Sequence, residues 1–293
     1  MEIALQFVLL ALGFVMLAKG ADWFVEGAAG IAMRFGIPQL VIGLTIVAMG
    51  TSAPEAAVSI AAAVKGNADI TIGNIVGSNI LNILIILGLA ASIVPIAVAR
   101  STVRIEIPFM IGVTALLFYQ GRDGSISLAD GGVLMVAFAV YMMYLYTMAM
   151  KSNVDSDLEE PGLPLGRCLL GAVGGLALII AGSNVTVGAA TSIATYAGLS
   201  ERFIGLTIVA LGTSLPELFT SVAAARRGNA DIAIGNIVGS NIFNILFVVG
   251  LSSLIIDIPF ASAFNFDTYV ALGAAVLLWL CVLRTQRLQR WAG

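Results

Sequence analysis

The chain has 293 residues, of which 59% are hydrophobic and 11% charged, and its mean hydropathy is +1.03. A soluble globular chain is roughly half apolar and about a quarter charged, so the composition excludes a water-soluble domain. The net charge of −3, without a basic cluster, excludes nucleic acid as a partner.

No histidine is present, which removes the usual general base and proton shuttle. Cys168 and Cys281 lie far apart in apolar stretches and suggest neither a disulfide framework nor a zinc site.

The first apolar run, residues 2–22, lacks the basic leader region and small-residue cleavage site of a signal peptide. It reads as a membrane helix, with Lys19, Asp22 and Glu26 marking its interfacial end. Further apolar runs cover 38–64, 69–94, 104–119, 129–150, 164–190, 203–225, 231–256 and 268–283. Each is of the order of the ~20 residues a helix needs to cross the hydrocarbon core. The alternation of barrel strands is missing. The predicted class is all-α, polytopic and membrane-embedded. Connections are short except around the acidic stretch Asn153 to Glu160, NVDSDLEE. Residues 151–163 therefore read as a solvated cytoplasmic linker between two halves, 1–150 and 164–293. That stretch lacks the glycine and spacing of an EF-hand loop. Met142 to Met150 reads as ordinary lipid- or protein-facing surface.

Residues 43–90 and 205–252 align without a gap at an offset of 162, and 34 of the 48 positions are identical. Apolar composition alone does not reproduce strings such as GTS-PE and GNIVGSNI, so the chain is a duplication. Five spans precede the second copy, and an odd number of crossings turns that copy over relative to the first. Inverted repeats are a transporter architecture with the substrate site near the midplane. With the N-terminus outside, inward loops hold Arg34, Arg100, Arg104, Lys151, Arg167, Arg226, Arg227, Arg284, Arg287 and Arg290, and outward loops hold Lys65, Arg122 and Arg202. That asymmetry satisfies the positive-inside rule. After the ninth span the chain reads RTQRLQRWAG and ends. The expected architecture is two inverted-topology five-helix repeats, with the tenth helix missing from this chain.

Each repeat carries two unusual segments. The first is GTSAPE, Gly50 to Glu55, and its copy GTSLPE, Gly212 to Glu217. A proline inside a helix removes a backbone donor and clashes with the preceding turn, so a break is predicted before Pro54 and Pro216. Carbonyls freed in lipid must find other partners, of which a cation is one. Thr51, Ser52 and Glu55 share a helical face, as do Thr213, Ser214 and Glu217. The second segment is GSNILN, Gly77 to Asn82, with its copy GSNIFN, Gly239 to Asn244. Ser78 pairs with Asn82 across one turn, and Ser240 with Asn244. Asn79 and Asn241 read as caps of broken helices. In the tight turns KGNAD and RGNAD, Asp69 and Asp231 read as N-caps.

Two intramembrane glutamates with no basic partner in these segments make a site of charge −2 lined by oxygen. Such carboxylates mark ion or proton pathways. One divalent cation neutralises them, and so do several sodium ions competing for the same oxygens, which is a physical basis for exchange.

At these residues the sequence resembles the sodium/calcium exchanger family within the calcium:cation antiporter superfamily, and most closely its prokaryotic branch. GTSAPE…GNIVGSNILN and GTSLPE…GNIVGSNIFN are similar to that family's two alpha repeats. The calcium/proton branch carries a GNxxE-type signature, whereas Gly73 and Gly235 here open GNIVG. The resemblance implies a ten-helix fold and ions held by Glu55, Glu217, Thr51, Ser52, Ser78, Asn82, Thr213, Ser214, Ser240 and Asn244. Backbone carbonyls near Ala48 and Ala210 join them. It implies electrogenic exchange of sodium for calcium across the plasma or inner membrane, with no cofactor and no obligate protein partner. Potassium-dependent relatives carry aspartate at the position of Asn244, so potassium dependence is not expected.

Three alternatives stand beside this reading. The same fold can couple calcium or another divalent ion to protons, which sodium dependence decides. An intramembrane protease would need an acidic dyad, and the hydroxyl-rich settings of these glutamates suit ion ligation better. A membrane scaffold predicts that removing either glutamate changes no transport.

Overall fold

The computed structural model describes residues 2–66, 68–151, 163–199, 208 and 210–293. Helix α1 spans Glu2–Phe35. Helix α2, Gln39–Thr51, and α3, Ala53–Val64, form one span bent by 51°. Helix α4 (Asp69–Leu81) runs through a π turn (Asn82–Leu87) into α5 (Gly88–Ile93). Another π turn (Thr102–Glu106) leads into α6 (Ile107–Gln120), and α7 covers Leu128–Lys151. The second half follows with α8 (Leu165–Tyr196), α9 (Ala210–Thr213) and α10 (Leu215–Arg226). Helix α11 (Ala230–Phe243) passes through a π turn (Asn244–Val249) into α12 (Gly250–Ile255), and α13 is Ala263–Leu283.

Among the described residues, seven helices are long and apolar enough to cross a bilayer, and the bent pair α2–α3 makes an eighth. The all-α polytopic expectation is met. The linker expected at 151–163 lies outside the described residues except at its ends, as does the start of the span expected at 203–225. The first helix corrects the sequence reading. It continues thirteen residues past 22 to Phe35, and Asp22 and Glu26, which lie within it, pair with Arg227. Arg227 Nε lies 3.3 Å from Asp22 Oδ1 and Nη1 lies 3.2 Å from Glu26 Oε2. The N-caps also differ. Ala68 precedes α4 and Asn229 precedes α11, leaving Asp69 and Asp231 inside the first turns.

Burial identifies the centre. In the most apolar window of the α11–α12 span 94% of residues are buried, against 17% for α1 and for α7. Helix α2 crosses α11 at glycines, since a Cβ on Gly235 would stand 3.1 Å from Gly43 Cα. Small residues let backbones approach where lipid supplies no hydrophobic drive between helices. The rim presents Phe7, Val136, Val140, Leu170, Val173 and Leu280 to the outside.

Two short antiparallel ladders tie the halves together. Strand β1 (Ile96–Ala97) pairs with β4 (Arg287–Leu288), and β2 (Ser125–Ile126) pairs with β3 (Ile258–Pro259). Ile96 faces Leu288 and Ile126 faces Ile258, so adding 162 to the first member of each pair gives a member of the other pair. The duplication thus extends beyond the 48-residue motif to these two ladders.

Helices α1 and α8 form a pair held at backbone distance by glycine. A Cβ on Gly175 would press on Phe24 N and stand 2.7 Å from Gly20 O. Those are backbone atoms, and they move only if the helices part. Gly175→Ala is expected to destabilise the protein by about 1–3 kcal/mol, as overpacking does. The readout is the thermal midpoint in detergent, and an unchanged midpoint would mean that the pair is not locked at this distance.

Candidate functional site

The break in the first GTS-PE segment falls at Ser52, with φ −80° and ψ 7°, and in the second at Ser214, with φ −90° and ψ 2°. Pro54 and Pro216 sit at the second position of the helices that follow, where a missing N–H costs little. The break turns the start of α3 and of α10 inward, and each start carries its glutamate. Glu55 and Glu217 are each 1% exposed.

The two glutamates are held crosswise. Ser52 donates its hydroxyl to Glu217 Oε1 at 2.8 Å, and Ser214 donates to Glu55 Oε1 at 3.3 Å. Thr213 lies beside Glu55 and Thr51 beside Glu217. The sequence puts Thr51, Ser52 and Glu55 on one helical face. In three dimensions each carboxylate instead meets the hydroxyl pair of the other repeat, so neither repeat alone forms the site.

The second segment repeats this logic. Asn79 Nδ2 donates to the Asn241 carbonyl at 3.1 Å, and Asn241 Nδ2 donates to the Asn79 carbonyl at 3.1 Å. These residues lie inside α4 and α11, so they do not cap broken helices as expected. They clasp the halves to each other. Asn82 Nδ2 donates to Asn241 Oδ1 at 2.9 Å, and Asn244 Nδ2 donates to Asn79 Oδ1 at 3.1 Å and to Ser78 Oγ at 3.3 Å. With their amide hydrogens turned away, Asn82 and Asn244 present their oxygens elsewhere. Each opens a π turn, a feature that often accompanies functional sites.

Sequence reading missed Asn74 and Asn236. Asn74 Nδ2 donates to Ser59 Oγ at 2.9 Å and to the Glu55 carbonyl at 3.2 Å. Asn236 Nδ2 donates to Ser221 Oγ at 2.9 Å and to the Glu217 carbonyl at 3.4 Å, and its Oδ1 accepts from Thr51 at 2.9 Å. They fix the glutamate-bearing turns from behind. The signal was present as the identical asparagine in both GNIVG strings.

The Ala48 carbonyl accepts the Ser52 N–H at 3.0 Å and the Ser240 hydroxyl at 3.4 Å, which places it on the wall between repeats. Ala210 opens α9 at the corresponding turn of the second half.

On the glutamates and asparagines of these two segments, four acceptor oxygens are buried without a hydrogen-bond donor: Glu55 Oε2, Glu217 Oε2, Asn82 Oδ1 and Asn244 Oδ1. An unpaired buried acceptor is costly, and an unpaired buried carboxylate oxygen more so. No lysine or arginine is buried among the described residues. The donor set is oxygen throughout, which suits hard cations.

The family description "Sodium/calcium exchanger protein" matches residues 5–147 and 168–293. The chain belongs to the sodium/calcium exchanger family. It is accordingly a multi-pass membrane transporter and a cation exchanger, not an enzyme. Among relatives of this exchanger, CaxA of Alkalimonas amylolytica is 42% identical, over 99% of this chain and 93% of that one. The inner membrane protein YrbG of Escherichia coli is 38% identical, over 92% of this chain and 88% of that one. The sodium/calcium exchanger MaX1 of Methanosarcina acetivorans is 33% identical, over 99% and 95%. Among solved structures, the sodium-calcium exchanger NCX_Mj soaked with 2.5 mM Na+ and 10 mM Sr2+ superposes with a TM-score of 0.86. Its identity is 34%, and the match covers 99% of this chain and 94% of that one.

Proposed function

We propose that this exchanger moves sodium against calcium through one central site shared by both repeats. The four donor-less oxygens on Glu55, Glu217, Asn82 and Asn244 carry the reading, because a bound cation supplies the partner each lacks. Thr51, Ser52, Ser78, Thr213, Ser214 and Ser240 supply hydroxyl oxygens, and the carbonyls of Ala48 and Ala210 line the same wall. One calcium ion neutralises the two carboxylates. Sodium ions spread over the same oxygens do so singly, and the two loads exclude each other.

The crosswise bonds indicate how access alternates. Ser52–Glu217 and Ser214–Glu55 are equivalents under the 162-residue offset, as are the two strand ladders. Interchangeable halves of opposite membrane orientation give two states of similar energy, each opening the site to one side. The asymmetry of the basic residues supports an N-terminus outside.

Calcium uptake into sodium-loaded proteoliposomes diluted into sodium-free buffer tests the proposal. Uptake is expected to require internal sodium and to generate a membrane potential. Uptake that follows a proton gradient and ignores sodium would transfer the chain to proton coupling.

A further inference from the structure

A third buried carboxylate, Glu106, shares no hydrogen bond with the transport-site residues. Glu106 ends the π turn Thr102–Glu106 and is completely buried. Its Oε1 accepts the Tyr144 hydroxyl from α7. Its Oε2 has no partner. The Thr102 hydroxyl, at the other end of the same π turn, lies beside the carboxyl and also lacks a partner. Tyr141, 4% exposed, stacks against Tyr144 with centroids 6.5 Å apart, and its hydroxyl lies within electrostatic reach of Glu106 and is likewise unpartnered. Two bare buried oxygens, Glu106 Oε2 and Thr102 Oγ1, thus sit on one π turn, and the unpartnered Tyr141 hydroxyl belongs to the neighbouring helix α7. The molecule shows the same signature at Asn82 and Asn244, where π turns begin and buried oxygens are left bare.

The cluster is not a copy of the transport site. The offset of 162 takes Glu106 to Thr268 and Thr102 to Phe264. Thr268 is buried too, but its hydroxyl is spent on the Phe264 carbonyl at 2.7 Å. The second half therefore has no carboxylate at this position, and the cluster occurs on one side of the pseudo-symmetry only. An unpaired ionisable group at membrane depth marks a functional site by default.

We propose that Glu106 Oε2, Thr102 Oγ1 and the Tyr141 hydroxyl form a second cation site that takes one monovalent ion, sodium, and is separate from the exchanged ions. The single carboxylate sets the charge. A divalent ion would leave an uncompensated positive charge among Val103, Ile107 and Met110, all buried, whereas sodium leaves none. The bound ion ties the π turn before α6 to α7. On the proposed orientation the site lies in the cytoplasmic half, where it reports internal sodium to the scaffold without entering the cycle.

The transport site must be silenced for the test. In Glu55→Gln/Glu217→Gln protein, sodium chloride is expected to raise the thermal midpoint relative to choline chloride, and calcium chloride is not. Adding Glu106→Gln is expected to remove the sodium-dependent rise, and Thr102→Val to weaken apparent sodium affinity roughly tenfold. A sodium-dependent change in tyrosine ultraviolet absorbance, lost in Tyr141→Phe, gives a second readout if the triple variant does not fold. No sodium response in the double variant would overturn the proposal. So would a response that survives Glu106→Gln, a response to calcium instead, or an infrared carboxylic-acid band assigned to Glu106 that sodium does not displace.

Discussion

Glu55→Gln and Glu217→Gln are each expected to abolish sodium-driven calcium uptake, and to do so to the same extent. Each substitution keeps an oxygen for the serine hydroxyl that now reaches Oε1 from the opposite repeat. What it removes is one of two negative charges in a region where no buried basic residue is described. A calcium ion would then sit with one charge uncompensated, and loss of one partner in a buried charge pair costs about 2–5 kcal/mol. That corresponds to at least a ~30-fold fall in calcium affinity. Folding should not suffer, because two carboxylates facing one hydroxyl-lined site repel each other and the variants relieve the repulsion. The discriminating measurement is the thermal midpoint with and without calcium. Ligand binding to the native state raises it in proportion to the logarithm of ligand over dissociation constant. Wild type is expected to shift, and both variants to match or exceed its cation-free midpoint and lose the shift. Near-normal uptake in either variant would remove that glutamate from the ion path. A large inequality between the two would mean that the repeats do not share one site.

The arrangement is unevenly legible in the sequence, for physical reasons. The duplicated motifs by themselves put Glu55 and Glu217 at the centre, because a carboxylate at membrane depth is costly and the same cost recurs at equivalent positions of both repeats. Local spacing does not reveal their hydrogen-bond partners. An i, i+3 or i, i+4 rule pairs Ser52 with Glu55, and the helix break at Ser52 voids it by turning the hydroxyl toward Glu217. The roles of Asn79 and Asn241 are hidden for a similar reason. Their bonds join residues 162 apart, and nothing local distinguishes a clasp from a cap. The π turns after Leu81 and Phe243 leave no periodic trace in runs that are apolar on every face. The extent of α1 is obscured by charges that read as a helix end. Their neutralising partner, Arg227, lies in the other half of the chain.

Asn244→Asp is the second variant with a large expected effect, and it probes charge rather than geometry. Asn244 Nδ2 now donates to Asn79 Oδ1 at 3.1 Å and to Ser78 Oγ at 3.3 Å. An aspartate has no hydrogen to give, so its oxygen would face the Asn79 oxygen across the same gap while the site charge moves from −2 to −3. In choline buffer the thermal midpoint is expected to fall, by the equivalent of about 1–3 kcal/mol for a buried group left unsatisfied. A cation entering the site reverses both penalties, since it pairs the added charge and bridges the two oxygens. The variant is therefore expected to gain a requirement for one additional monovalent cation in calcium exchange, read as a potassium dependence of uptake that wild type lacks. Asn82→Asp should behave alike, because Asn82 holds the equivalent bond to Asn241 Oδ1 at 2.9 Å. If both variants keep the wild-type midpoint in choline and the wild-type ion dependence, then Asn82 and Asn244 do not face the transported ions. The donor-less oxygens would in that case be satisfied by something other than cargo.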